Sequence, residues 1–240
     1  VLLSLDTSTL TSSLALVRDG RAVERVLIGP PSRQSDVLPG AIDELVKRHH
    51  VALKDLDGFT VGLGPGSFTG LRIGLATLKG LAYALEKPIA GASSLAAIAL
   101  ECPEGVELFT CAVVKKGELY LGRYVRRGDG VEALSPETSL TVAEFARQLI
   151  ATPSARAVGP ALADTRALLL AQGVPAAQLL DGPLVPSAEA VARLTRLPAT
   201  FRKEDVFSLE PHYLRGSGAE ENPKFPPLPG VEAKARLKDD

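Results

Sequence analysis

Residues 1–28 read VLLSLDTSTLTSSLALVRDGRAVERVLI, and this stretch decides the fold. Val1–Asp6 is an apolar run that ends in the polar string Asp6-Thr7-Ser8-Thr9. Ser12–Arg18 carries Leu14-Ala15-Leu16-Val17 into Asp19-Gly20, and Arg21–Ile28 follows. Asp-Gly between two β-rich runs signals a hairpin, because the tight turn that suits strand twist needs positive φ at both central residues. The stretch predicts a three-stranded meander, closed by Gly29-Pro30-Pro31.

Outward from the meander the period changes. Val37, Leu38, Ala41, Ile42, Leu45 and Val46 recur at helical spacing behind Ser35 or Asp36 as cap, with Pro39 expected in the first turn. Phe59–Leu63 reads as a buried strand that runs into Gly64-Pro65-Gly66-Ser67-Phe68-Thr69-Gly70. A helix then runs from Ser67 or Thr69 to Leu85, ended by Lys87-Pro88; Ile89–Ala92 is a strand, and Ser93 or Ser94 caps a helix to Leu100. The first hundred residues thus spell β-β-β-α-β-α-β-α. Further on, Leu108–Val114, Leu119–Val125 and Val131–Leu134 are predicted strands, with turns at Lys116-Gly117 and Gly128-Asp129-Gly130. Thr141–Ile150 is a helix opened by a capping box with Glu144, Arg156–Val158 a short strand, and about 161–172 and 187–197 are helices. The expected class is α/β, with an N-terminal lobe over 1–104, a smaller, degenerate α/β lobe over 105–215, and a Gly-, Pro-, Glu- and Lys-rich flexible tail over 216–240.

Composition excludes whole classes. The formal charge of 240 residues is −1, so no basic field marks a nucleic-acid binder. Two cysteines and three histidines suit neither a disulfide scaffold nor a Cys-based zinc site. No apolar run is long enough to span a membrane, and the N-terminus lacks the basic start of a secretory signal. A reducing compartment, the cytoplasm, is expected. There is no Met, which implies that position 1 is not the translation start.

Several motifs could carry chemistry. Asp6, Thr7, Ser8 and Thr9 at a strand end could hold a hydrated Mg²⁺ and nucleotide phosphates, or could simply satisfy backbone donors at a turn. The loop with Gly64, Gly66, Ser67, Thr69 and Gly70 could approach an anion at a helix N-terminus or be a tightly packed structural turn; it is neither a phosphate-binding Walker loop nor a dinucleotide fingerprint. The helix after it has a small-residue row, Ala76, Gly80 and Ala84, and a bulky row of leucines, so both sides need cover, from this chain or from a partner. Arg72 and Lys79 give it a polar edge that a partner's carboxylates could meet. The candidate partner interface is Leu38, Ile42 and Leu45 with Arg72, Ala76, Lys79, Gly80, Tyr83 and Ala84. His49-His50 read as a solvated helix end, and Lys115-Lys116 with Arg123, Arg126 and Arg127 as a solvated β edge.

Leu5-Asp6-Thr7-Ser8, the Asp19-Gly20 hairpin, Leu38-Pro39, and above all the string from Gly64 to Gly74 resemble the TsaB (YeaZ) family. Lys79-Gly80-Leu81-Ala82 and Pro88-Ile89-Ala90-Gly91 continue the resemblance; Gly117-Glu118-Leu119-Tyr120 and Pro211-His212-Tyr213-Leu214-Arg215 are weaker echoes. It implies an actin-like ATPase (ribonuclease H-like) fold of two related lobes with mixed sheets. It also implies a part in making threonylcarbamoyladenosine in tRNA, paired with the catalytic paralogue TsaD and joined by the ATPase TsaE. Carried over residue by residue, the two metal-binding histidines of TsaD fall on Ser94 and Ile98, and an Asp of the second lobe falls on Val113.

The expected function is therefore a non-catalytic scaffold or activator that forms a homodimer when alone and meets tRNA only through the complex. No catalytic residue, metal or obligatory cofactor is expected, with a weak Mg-nucleotide at the partner boundary left open. The alternative is a Mg-nucleotide-dependent ATPase or phosphotransferase that works through Asp6 and the Gly64–Gly70 loop.

Overall fold

The computed structural model of the chain describes residues 1–29, 34–115 and 117–214. The expected closure at Pro30-Pro31, the Lys116 half of the Lys116-Gly117 turn, Arg215 and the 216–240 tail lie outside the described residues. So does the Ser35 side chain.

The first lobe opens with strands β1 (Leu2–Asp6), β2 (Ser12–Arg18) and β3 (Arg21–Ile28). Asp19 and Gly20 both take positive φ, +52° and +74°, as the Asp-Gly turn requires. Helix α1 (Gln34–Arg48), strand β4 (Gly58–Gly62), helix α2 (Phe68–Ala84), strand β5 (Ile89–Ala92) and helix α3 (Ser94–Leu100) follow. The sheet order is β3-β2-β1-β4-β5, antiparallel through the meander and parallel from β1 onwards. Because α1 starts at Gln34, Pro39 lies in its second turn rather than its first, and Ser35 and Asp36 are inside the helix rather than at its cap.

The second lobe repeats the plan. Strands β6 (Glu107–Lys115), β7 (Glu118–Arg127) and β8 (Gly130–Thr141) form a meander, helix α4 (Val142–Ala151) follows, and β9 (Arg156–Val158) runs parallel to β6. The order β8-β7-β6-β9 matches the first four strands of the other sheet, so the lobes are related. Strand β8 reaches seven residues past the predicted end at Leu134. It is an edge strand, and its exposed 132–136 stretch leaves no alternation to read. Helices α5 (Leu162–Ala171), α6 (Ala188–Leu194) and α7 (Lys203–Ser208) complete the described chain. Helix α7 was not foreseen, since six residues are too short for a periodic signal.

Two faces of the first sheet are covered in different ways. Leu3, Leu5, Leu14, Leu16, Phe59 and Val61 meet α1 and α2 in the largest core. On the other face Ser4, Ser13 and Ala15 leave room for the backbone of α6: Ser4 Oγ donates to the Ala188 carbonyl at 2.6 Å, and the Ala188 amide donates to Ser13 Oγ at 3.0 Å. Val206 of α7 is buried in the first core. The chain after Ser187, which its sequence position groups with the second lobe, thus returns to the first. Helix α3 is buried along its whole length between the lobes, as suits a helix that is apolar all round. Among the described residues no helix is long and apolar enough to cross a membrane.

Candidate functional site

The polar end of β1 sits under the N-termini of α2 and α3. Asp6 is fully buried. Its Oδ1 accepts from the Ser8 amide at 2.9 Å and the Ser8 hydroxyl at 2.6 Å, and its Oδ2 accepts from Ser94 Oγ at 2.6 Å. Ser94 in turn accepts from the Gly64 amide at 3.1 Å. Burial pushes the Asp6 carboxyl above its ordinary range, although the hydrogen bonds from Ser8 and Ser94 act against that rise.

Glycines at the end of β4, in the loop after it and along α2 make this packing possible. A Cβ on Gly62 would lie 1.9 Å from Asp6 Oδ2, on Gly66 2.3 Å from the Ser8 carbonyl, on Gly70 2.2 Å from the Thr7 carbonyl, and on Gly74 2.3 Å from Thr7 Oγ1. The Ser67 amide donates to the Ser8 carbonyl at 2.7 Å, and the Ser67 side chain caps α2 through the Gly70 amide. The N-terminus of α2 is therefore filled by the Asp6–Ser8 turn of its own chain. Both oxygens of Asp6 already accept hydrogen bonds within the chain, and the glycines pack against the turn too closely for any of them to carry a Cβ. Thr7 Oγ1 is buried without a partner, while Thr9, at the outer end of the string, bonds the Thr11 carbonyl.

The positions that the resemblance aligns with metal-binding histidines are equally occupied. Ser94 holds Asp6, and Ile98 is buried in the core between the lobes. Among the described residues no group of three or more His, Cys, Asp or Glu is placed to hold a metal ion.

The candidate interface residues divide into three sets. Leu38, Ile42 and Leu45 are 1, 2 and 0% exposed and belong to the first core, so they offer no surface to a partner; their helical stripe points at the sheet. Arg72, Lys79 and Tyr83 face the segment that contains α7. Arg72 Nε donates to the Tyr213 hydroxyl at 3.0 Å, Lys79 Nζ donates to the Leu209 carbonyl at 3.0 Å, and Tyr83 meets the Phe207 ring edge-on at 5.8 Å. Ala76, Gly80 and Ala84 are exposed, and nothing lies within 4 Å of a Cβ built on Gly80. The bulky row is the covered one: Leu71, Leu75 and Leu78 are buried on the inner side.

Other polar features are satisfied locally. His49 and Arg48 pair with Glu24 at 2.7 Å, Lys115 with Glu118 at 3.1 Å, Arg123 with Glu107 at 2.5 Å, and Arg127 with Glu132 at 3.3 Å. Sequence reasoning did not foresee the joining of Ser94 to Asp6. It also missed a second cluster at the lobe boundary, where Ser93, Tyr124, Glu137 and His212 meet. Of these, the sequence singled out only Ser93, as a helix cap, and His212, in its Pro-His-Tyr motif.

Comparison with known proteins gives a consistent picture. A family model described as TsaD, tRNA N6-adenosine threonylcarbamoyltransferase, matches residues 32–163. The chain is 29% identical over 149 residues to the tRNA threonylcarbamoyladenosine biosynthesis protein TsaB of Bacillus subtilis (strain 168), which covers 62% of this chain and 65% of that protein. It is 32% identical over 133 residues to TsaB of Escherichia coli (strain K12), covering 54% and 57%. The matched stretches thus span less than two thirds of either relative. A Pseudomonas aeruginosa crystal structure, described as an uncharacterized protein with similarity to peptidase YeaZ, superposes with a TM-score of 0.74 at 27% identity and covers 89% of this chain and 99% of that one.

Proposed function

The chain belongs to the TsaD family, within it to the TsaB/YeaZ group, and from that premise we propose that it is a non-catalytic scaffold for making tRNA N6-threonylcarbamoyladenosine. In this reading it docks a TsaD homologue through α2, the pair recruits a TsaE homologue, and the chain pairs with itself when no partner is present. It meets tRNA through the complex and acts in the cytoplasm.

The observation that carries the reading is the outer side of α2. Its inner side is buried in the first core, while Ala76, Gly80 and Ala84 form an open row in which a partner helix could approach the backbone closely. The saturated state of Asp6 and the buried Ser94 and Ile98 support a scaffold over an ATPase, since the groups that would hold a cation or phosphates are committed to internal contacts.

The test is Ala76→Arg or Gly80→Arg, followed by co-purification with a TsaD homologue and light scattering of the chain alone. Both variants are expected to stay folded, to lose the heterodimer and to run as monomers. A folded variant that pairs as well as wild type would sink this docking site.

A further inference from the structure

At the lobe boundary, the cap of α3, strands β7 and β8 and the segment after α7 each send one side chain to a single point. Glu137 of β8 stands in the middle, with its side chain only 6% exposed. Its Oε1 accepts from the hydroxyls of both Ser93 and Tyr124. Its Oε2 is buried without an aligned donor, and Nδ1 of His212 lies 2.9 Å away, at ion-pair distance.

The donors are preset. Ser93 accepts from the Leu95 and Ala96 amides at 3.1 Å each, so its one proton is left for Glu137. Burial, and then the charge and hydrogen bond of Glu137, push the Tyr124 phenol upwards, so it stays a donor. Glu137 is aimed inward by a bulge: Leu121 faces Thr138 and Arg123 faces Ser135, so Pro136 and Glu137 together oppose Gly122 alone. The bridging group is the carboxylate rather than the imidazole, so this is not a nucleophile–base–acid relay.

We propose that Ser93, Tyr124 and His212 form a carboxylate-binding site at the lobe boundary, in which Glu137 is the resident, tethered ligand, and that its occupancy holds Leu209–Leu214 against α2. Two neutral hydroxyls and one imidazole match the single charge of a carboxylate and not a phosphate dianion. The ligand is borne by an edge strand paired on one side only. His212 links the site to α2: its amide donates to the Leu63 carbonyl at 2.7 Å, and its neighbour Tyr213 stacks on Phe68 at 5.1 Å and accepts from Arg72. Emptying the site removes the charged partner of His212 and loosens the segment that covers the Arg72–Lys79 edge. That last consequence for docking rests on the reading of α2 above; the site itself does not.

The experiment uses the chain alone, so a failure of TsaD pairing cannot affect it. Glu137→Ala is compared with wild type by thermal unfolding and by hydrogen exchange of residues 209–214, in sodium acetate and in sodium chloride at equal ionic strength. Exchange in Glu137→Ala is expected to be about two- to fivefold faster, the scale of a lost, partly exposed ion pair. Acetate is expected to restore protection and Tm saturably, chloride is not, and the rescue is expected to vanish when Tyr124→Phe or His212→Ala is added. Acetate no better than chloride, or a rescue that survives both additions, would overturn the proposal. If Glu137→Ala does not fold, Glu137→Gln keeps the shape without the charge; its 209–214 exchange is expected to rise, and an unchanged rate overturns the proposal equally.

Discussion

Ser94 donates its hydroxyl to Oδ2 of Asp6 at 2.6 Å, tying the first turn of α3 to the end of β1. Through this contact the carboxylate that the sequence offered to a nucleotide, and the serine onto which the resemblance carries a metal-binding histidine, satisfy each other. Each group has found its partner inside the chain.

The pH dependence of stability follows from the same pair. Burial raises the Asp6 carboxyl above its ordinary 3.8 in the folded chain. The native state therefore binds this proton more tightly than the unfolded state. The stabilisation is fully present below about pH 4 and is lost as pH rises through the raised value. Asp6→Asn has no such proton, so its stability relative to wild type should increase from acid to neutral pH. Urea unfolding of both proteins across that range checks it, and a constant difference would refute the assignment.

Two glycines of α2, six residues apart, should respond with opposite sign. Gly80 has open space around a built Cβ, so Gly80→Ala should stabilise by about 0.5–1 kcal/mol, the ordinary helix-propensity gain. At Gly74 the new methyl would lie 2.3 Å from the buried Thr7 hydroxyl, so Gly74→Ala should cost roughly 1–3 kcal/mol. Denaturant midpoints at constant m-value decide both.

Core and surface residues of the candidate interface should separate cleanly. Leu45 is fully buried, so Leu45→Ala should destabilise by about 2–5 kcal/mol through lost burial and the cavity left behind. Ala76→Arg on the outer side of α2 should stay within about 0.5 kcal/mol of wild type. Calorimetry of the two variants would show whether a pairing defect in the second reflects the surface rather than the fold.

Both thiols should be inert in the native state. Burial raises Cys102 to about 11 and Cys111 to about 12, so almost no thiolate exists near neutral pH. Ellman's reagent at pH 8 should label neither until denaturant is added; fast labelling of the folded chain would contradict the buried placement.

Much of the fold was legible because it is written in near neighbours. The Asp19-Gly20 turn, the helical spacing of Leu38, Ile42 and Leu45, and the Thr141–Glu144 capping box each lie within a few residues, and all are present. The same locality explains the misassignments. Spacing showed that Leu38, Ile42 and Leu45 share a helix face, but only the sheet beneath α1 made that face core rather than interface. On α2, spacing marked a small row and a bulky row without saying which would be covered.

By itself, then, the sequence determined the order of strands and helices in the first lobe and the tight turn after β4, because turn chemistry and periodicity act between residues close along the chain. Tertiary structure alone decided that α6 lies on Ser4 and Ser13, that α7 returns to the first core, and that Ser93, Tyr124, Glu137 and His212 converge. Those contacts join residues far apart in the chain. Which polar side chain meets which is fixed only when the two packed lobes exclude water and leave each buried group the partners within reach.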